Sequence, residues 1–110
     1  MIVNTTRITV HPDKQGEFLQ TIKRLIDPIK NAKGCRAFRF YLDTADENSS
    51  LIIGEWETEL DLTNHLRSND FAILRGAITV LSTGCTQFQA LVTDRPVRRT
   101  HLMRVDRNPV

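Results

Sequence analysis

Three histidines, two cysteines and a single tryptophan are the side chains of this sequence best suited to chemistry. His11, His65 and His101 show no HxH, HxxxH or Cys/His clustering, so no metal-ligand spacing is present and no metal is expected. Cys35 and Cys85 form no CxxC pair and are too few for a disulfide scaffold. The glycines at 16, 34, 54, 76 and 84 never cluster, and GxGxxG, P-loop and GxSxG patterns are missing. Nucleotide cradling and the usual hydrolase chemistry thereby lose their best signals. What remains is acid–base and stacking chemistry. A histidine's ordinary pKa near neutrality would suit His65 to a general base if it faces a cavity, although such a residue also serves as a packed or surface histidine. Trp56 is either a large core or interface aromatic, or a wall that stacks on a planar ligand. Arg39 and Arg75 could stabilise an oxyanion or simply be solvated. Tyr41 could donate a hydrogen bond to a ligand or pack at an interface.

The elements that must position these groups follow from periodicity. Residues 2–10 are rich in β-branched side chains, with Ile2, Ile8 and Val10 on one parity, and read as a strand. Asn4 and Thr6 share that parity. His11-Pro12-Asp13 opens a helix, because proline suits the first turn and an aspartate suits its positive end. Phe18, Leu19, Ile22, Leu25, Ile26 and Ile29 then form one helical stripe. Pro28 is expected to kink or end it, and Gly34 to stop the segment. Residues 35–42 alternate, placing Phe38, Phe40 and Leu42 opposite Ala37, Arg39 and Tyr41. A polar hairpin loop spans 43–50, and residues 51–57 form the third strand. Thr58-Glu-Leu-Asp61 resembles a capping box and opens a short helix to about residue 66. Phe71, Leu74, Ile78 and Leu81 mark another helical segment, for which Asp70 is a candidate cap and Thr83-Gly84 the end. Residues 85–92 complete the set as a fourth strand.

The order β-α-β-β-α-β, with short connections and right-handed crossovers, gives an α+β ferredoxin-like split βαβ sandwich on a four-stranded antiparallel sheet. Its second and fourth strands are the edges, roughly 14 Å apart, beyond the ~7 Å a disulfide tolerates, so Cys35 and Cys85 should be unpaired within one chain. Helices shield only one side of such a sheet, yet apolar residues occupy both parities of several strands. A second copy packed on the open face would bury them, which predicts a homodimer.

The 110 residues fit one domain, and 40% apolar with 25% charged side chains suffices for a core. No apolar run approaches the ~20 residues of a spanning helix, and the N-terminus lacks a secretory pattern, so no membrane and a cytoplasmic location are expected. The formal charge of +2 is too weak to imply nucleic acid. RNA-binding modules of this topology place aromatics on the two central strands, whereas the first strand here has none. Residues 1–92 read as the domain and 93–110 as a basic tail. That tail carries Arg95, Arg98, Arg99, Arg104 and Arg107 against Asp94 and Asp106, a local +3.

Lys33-Gly34-Cys35, the alternating Phe38-Arg39-Phe40-Tyr41, Gly54-Glu55-Trp56-Glu57 and the run from Asn64-His65-Leu66 to Phe71 together resemble the antibiotic biosynthesis monooxygenase (ABM) domain. The resemblance covers roughly residues 2–92. It implies a dimeric α+β barrel with a pocket between sheet and helices, which in enzymatic members holds a flat aromatic or quinol-like molecule. It further implies a cofactor-independent monooxygenase acting on a small phenolic, quinol or polyketide-like aromatic, with O₂ as co-substrate and no cofactor. In that frame Trp56 stacks the substrate and His65 removes a proton. Asn4, Thr6, Arg39, Tyr41, Phe71 and Arg75 become candidates for binding the substrate or its anion. Haem-degrading relatives use an Asn, a Trp and a His; this chain keeps the Trp as Trp56 but has Thr6 and Arg75 in the other places, so haem is not expected. A dimeric ligand-binding or stress-associated module without turnover, and an isomerase of a small carbonyl compound, are the alternative functions on the same fold.

Overall fold

The computed structural model describes residues 1–92; the basic-tail expectation for 93–110 lies outside the described residues. The elements are β1 (Ile2–Val10), a 3₁₀ turn (Pro12–Lys14), α1 (Gln15–Lys30), β2 (Cys35–Leu42), β3 (Ser49–Trp56), α2 (Glu59–Leu66), α3 (Asn69–Leu81) and β4 (Ser82–Leu91). The strands form one antiparallel sheet in the order β2-β3-β1-β4. This is the ferredoxin-like α+β arrangement, with β2 and β4 at the edges. Cys35 and Cys85 are both free.

The helices cover one face of the sheet. Alternation along β1 sends Asn4, Thr6, Ile8 and Val10 into that side. Opposite them, α1 contributes Phe18, Ile22, Leu25 and Ile29, and α3 contributes Phe71, Leu74, Ile78 and Leu81. Phe38, Ile52, Trp56 and Leu62 complete the core.

The other face is open. Strand register lines up Tyr41, Leu51, Arg7 and Thr86 in one row, and Arg39, Ile53, Thr5 and Phe88 in the next. Tyr41 is 46% and Phe88 66% exposed. On β4 even the residues of the other parity are uncovered: Cys85, Gln87, Gln89 and Leu91 are all exposed. The helices therefore roof β1, β2 and β3, and leave the β4 edge bare.

Several local expectations need correction. Pro28 neither ends nor breaks α1, which continues to Lys30. A proline costs the helix the hydrogen bond of its own missing N–H, and so near the C-terminus little further ladder depends on it. Gly34 acts after the helix rather than on it. It lies in the turn before β2 at φ +81°, and a Cβ there would collide with the Asp61 carboxylate. Thr83-Gly84 does not close α3. The helix ends at Leu81 and β4 begins at Ser82. Asp70 is not the α3 cap; Ser68 is, its Oγ accepting from Phe71 N–H at 3.1 Å. The third strand starts two residues early, at Ser49, and ends at Trp56.

Candidate functional site

The centre of the helix-covered side is an aromatic cluster around His65. Its position begins with the start of α2. Thr58 accepts from Asp61 N–H at 3.1 Å and donates its hydroxyl to Asp61 Oδ2 at 2.9 Å. Asp61 is thereby held against the bare Cα of Gly34, which fixes α2 to the turn ahead of β2. One helical turn later, His65 faces inward. At the far end Ser68 donates to His65 O at 2.6 Å while capping α3, so a single hydroxyl ties His65 to Phe71.

The result is a stack. His65 lies over Trp56 with ring centroids 4.5 Å apart and planes 23° from parallel. Phe71 meets the imidazole edge-on at 5.2 Å, and Phe38 does so at 6.2 Å. Trp56 is 1% exposed and His65 5%. Gly54 makes room for the indole, because a Cβ there would stand 2.9 Å from Trp56 Nε1. Burial drives the His65 pKa down to about 4, with Asp70 opposing the shift. The imidazole is therefore neutral at pH 7, with one ring nitrogen free to accept a proton. A poised near-neutral base, as expected from the residue type, is replaced by a weakly basic one.

Helix α2 separates two clefts. The smaller, about 120 Å³, lies beside His65 and is lined by Ile29, Ala32, Lys33, Trp56, Ser68 and Asp70 among others. The larger, about 360 Å³, runs between α2 and the β1–β4 pair. It is lined by Ile2, Glu59, Leu62, Thr63, Leu66, Gln89, Ala90 and Leu91.

The remaining candidates divide by location. Asn4 and Thr6 are buried on the helix-covered face, and Asn4 Oδ1 is sealed from solvent without a hydrogen-bond partner. Phe71 joins the His65 cluster. Arg75 is exposed, its guanidinium carbon 5.7 Å from the Phe71 ring centroid, so it braces that ring from outside. Arg39 and Tyr41 are on the opposite face. Arg39 pairs with Glu55 at 3.7 Å, and Tyr41 borders a separate cleft of about 190 Å³ with Arg7 and Leu51. Neither shares a cavity with His65.

Sequence reasoning missed Leu62, Leu66 and Gln89. Leu62 and Leu66 are four apart on α2, a spacing that signals one face. Gln89 is found by counting back along the antiparallel register from Asn4, its partner across β1 and β4. Among the described residues no group of three or more His, Cys, Asp or Glu is arranged to hold a metal. No helix there is long and apolar enough to cross a membrane.

The family model for antibiotic biosynthesis monooxygenase matches residues 1–75. An uncharacterized protein of Synechocystis sp. is 33% identical over 70 residues, which cover 64% of this chain. The chain spans about half of that relative, the match taking in 48% of its length. A crystal structure of an antibiotic biosynthesis monooxygenase superposes with a TM-score of 0.78 at 18% identity, covering 84% of this chain and 99% of its own. A protein of Deinococcus radiodurans reaches 0.82 at 13% identity, with coverages of 89% and 98%. One from Mycobacterium tuberculosis gives 0.79 at 16%, with 87% and 98%. At such identities the likeness is one of fold.

Proposed function

The chain belongs to the antibiotic biosynthesis monooxygenase family, and on that premise we propose that it oxidises a small phenolic, quinol or polyketide-like aromatic with O₂, unaided by a cofactor. The observation that carries this reading is neutral His65 stacked on Trp56 in a water-poor part of the fold. A substrate of this class is itself the reductant. Losing a proton and an electron, it forms a carbon radical, and O₂ gains both. Recombination makes a C–O bond, and the hydroperoxide loses water. For a reactive CH₂ the balance is R₂CH₂ + O₂ → R₂C=O + H₂O.

The depressed basicity of His65 decides how the proton moves. A phenol titrates near ~10 while His65 titrates at about 4, so complete transfer before oxidation is uphill by roughly 8 kcal/mol. His65 accordingly accepts the substrate's hydrogen bond and takes the proton as the electron leaves. Trp56 stacks the ring, and the enclosing side chains exclude water. Haem does not suit this set of residues: Arg75, exposed outside the cluster, occupies the place of the relatives' haem-ligating histidine.

The same proposal includes a homodimer through the open face, where Leu51, Ile53, Tyr41 and Phe88 present an apolar surface. Light scattering at micromolar concentration checks it, and a monomer overturns it.

Oxygen uptake by metal-stripped protein against hydroquinones, anthrones and catechols tests the activity. Protein-dependent uptake with oxygen gained in the product supports it, as does its loss in folded His65→Ala and Trp56→Phe variants. Unchanged turnover in both removes those roles. The weak basicity of His65 also favours a second reading, a ligand-binding module without turnover. Tight binding of an unaltered ligand with no uptake would select that one.

A further inference from the structure

Arg7 differs from the other arginines of the sheet. Arg36 and Arg39 on β2 pair with Glu57 and Glu55. Arg7, on central strand β1, has no ion pair among the described residues. Register sets it in a row with Leu51 and Tyr41, one on each of β1, β3 and β2. Two strand spacings, roughly 10 Å, separate Arg7 from Tyr41, which leaves room between two long side chains. Both line the 190 Å³ cleft at the hairpin end of the open face, with Leu42, Asp43, Ser49 and Leu51. Ser49 is only 8% exposed. Its backbone is satisfied by Asp46 and Asp43, but its hydroxyl has no hydrogen bond among the described residues and is not sealed, so it opens on the cleft it lines. The carboxylate at the rim, Asp43, is occupied in a turn, accepting from Ala45 N–H at 2.7 Å, and does not reach Arg7.

We propose that this cleft binds a small carboxylate. Arg7 grips both oxygens, and the hydroxyls of Ser49 and Tyr41 donate to the remaining lone pairs. Leu42 and Leu51 receive the apolar body of the ligand. At about 190 Å³ the space is smaller than the ~300 Å³ at which drug-sized pockets begin, which limits the ligand to about one ring. A buried hydroxyl without a partner is costly, and an anion that accepts from it removes that cost. Asp43 works against binding through its charge alone. The site is on the other side of the sheet from His65 and Trp56, so it stands or falls independently of the proposed oxidation.

The test titrates the full chain with benzoate and with benzamide, a neutral molecule of the same shape, at constant ionic strength, and follows the backbone amide signals by NMR. Benzoate gives saturable shifts at Arg7, Tyr41, Ser49 and Leu51, and benzamide binds about tenfold or more weakly. Arg7→Gln lowers benzoate affinity about tenfold or more, and Arg7→Lys restores part of it, because a point charge replaces the planar fork. Ser49→Ala weakens binding about threefold. Asp43→Asn tightens it about twofold or more, while its amide oxygen still accepts from Ala45. Equal affinity for the two probes, no shifts at these residues, or an unchanged affinity in Arg7→Gln overturns the proposal. If Arg7→Gln does not fold, the native preference and Asp43→Asn decide. Inorganic phosphate that binds where benzoate does not overturns the carboxylate assignment. Phe88→Glu separates a free ligand from a carboxylate of a second copy packed on this face. Benzoate bound by both the native and the Phe88→Glu chains supports the proposal; benzoate bound by the variant alone gives the cleft to the second copy and overturns it.

Discussion

The two faces of the sheet are built from alternate residues of the same strands, yet they treat polar groups in opposite ways. On the covered face the polar side chains around α2 are committed: exposed Thr58 and buried Asp61 to each other and the Gly34 turn, and half-buried Ser68 to the joint between α2 and α3. Asn4 is the exception, with its sealed oxygen unpaired. On the open face, Arg39 and Glu55 pair beside Ile53 and within reach of water. Position is bought on one side by hydrogen bonds that lock elements together. On the other, an exposed ion pair lies among apolar side chains and locks nothing. Substitutions should accordingly change folding and the proposed oxidation on the covered face, and assembly or anion binding on the open one.

The sharpest break would come from Trp56→Ala. Removing a fully buried indole from beneath His65 should cost about 3–5 kcal/mol, read as a fall in the urea midpoint. A loss under about 1 kcal/mol would mean that the cluster is not part of the core. Acid comes next. Unfolded histidine titrates near ~6.5 and folded His65 at about 4, so the unfolded chain binds more protons between those values. The His65 contribution is intact above pH 6.5 and declines as pH falls through 4, by up to about 3 kcal/mol. A His65→Phe variant should lose that part of the slope; an unchanged slope would place the titration elsewhere. Ser68→Ala removes the cap of α3 and should cost about 1 kcal/mol by the same denaturation. Phe88→Glu, on the open face, should change the unfolding free energy of dilute protein by no more than about 0.5 kcal/mol. Its effect should appear in light scattering instead, as loss of the dimer. A dimer that persists would move the interface to another surface.

The fold was legible because strand parity and helix spacing are local properties. Phe38 and Phe40 against Arg39 and Tyr41, or Phe18 with Ile22, Leu25 and Ile29, announce their faces without knowledge of their neighbours. The joint at Leu81–Ser82 was not legible. Thr83 and Gly84 have the chemistry of a turn; pairing with Thr9 holds Gly84 in the strand, and Thr83, skipped at a register shift, donates its hydroxyl to Thr9 O. The same limit applies to the site. His65 and Trp56 were visible as chemical types, but the stack between them is a tertiary fact, as is the low basicity it imposes. Arg39 and Tyr41 had the right chemistry on the wrong side of the sheet for that cluster. Their parity had separated them from Phe38 from the start, and side-chain type together with family likeness had drawn them toward the pocket. Gln89 needed the register, which no short window of sequence contains.

The junction between α3 and β4 has no loop, since Leu81 is the last helical residue and Ser82 the first of the strand. Such a joint has no loop to absorb a change of length, and a register shift between Ser82 and Gly84 already takes up one residue there. One added residue at this point would shift β4 by a single step against β1, and alternate side chains would exchange sides. Phe88 would turn to the helix side of the bare β4 edge and Gln89 would turn outward, so the large cleft would lose Gln89 from its wall as the open face lost Phe88. The spacing between helix and strand is thus a stricter constraint than the identity of either residue at the joint. Insertions in descendants of this chain should collect in the hairpin between β2 and β3, and spare this seam.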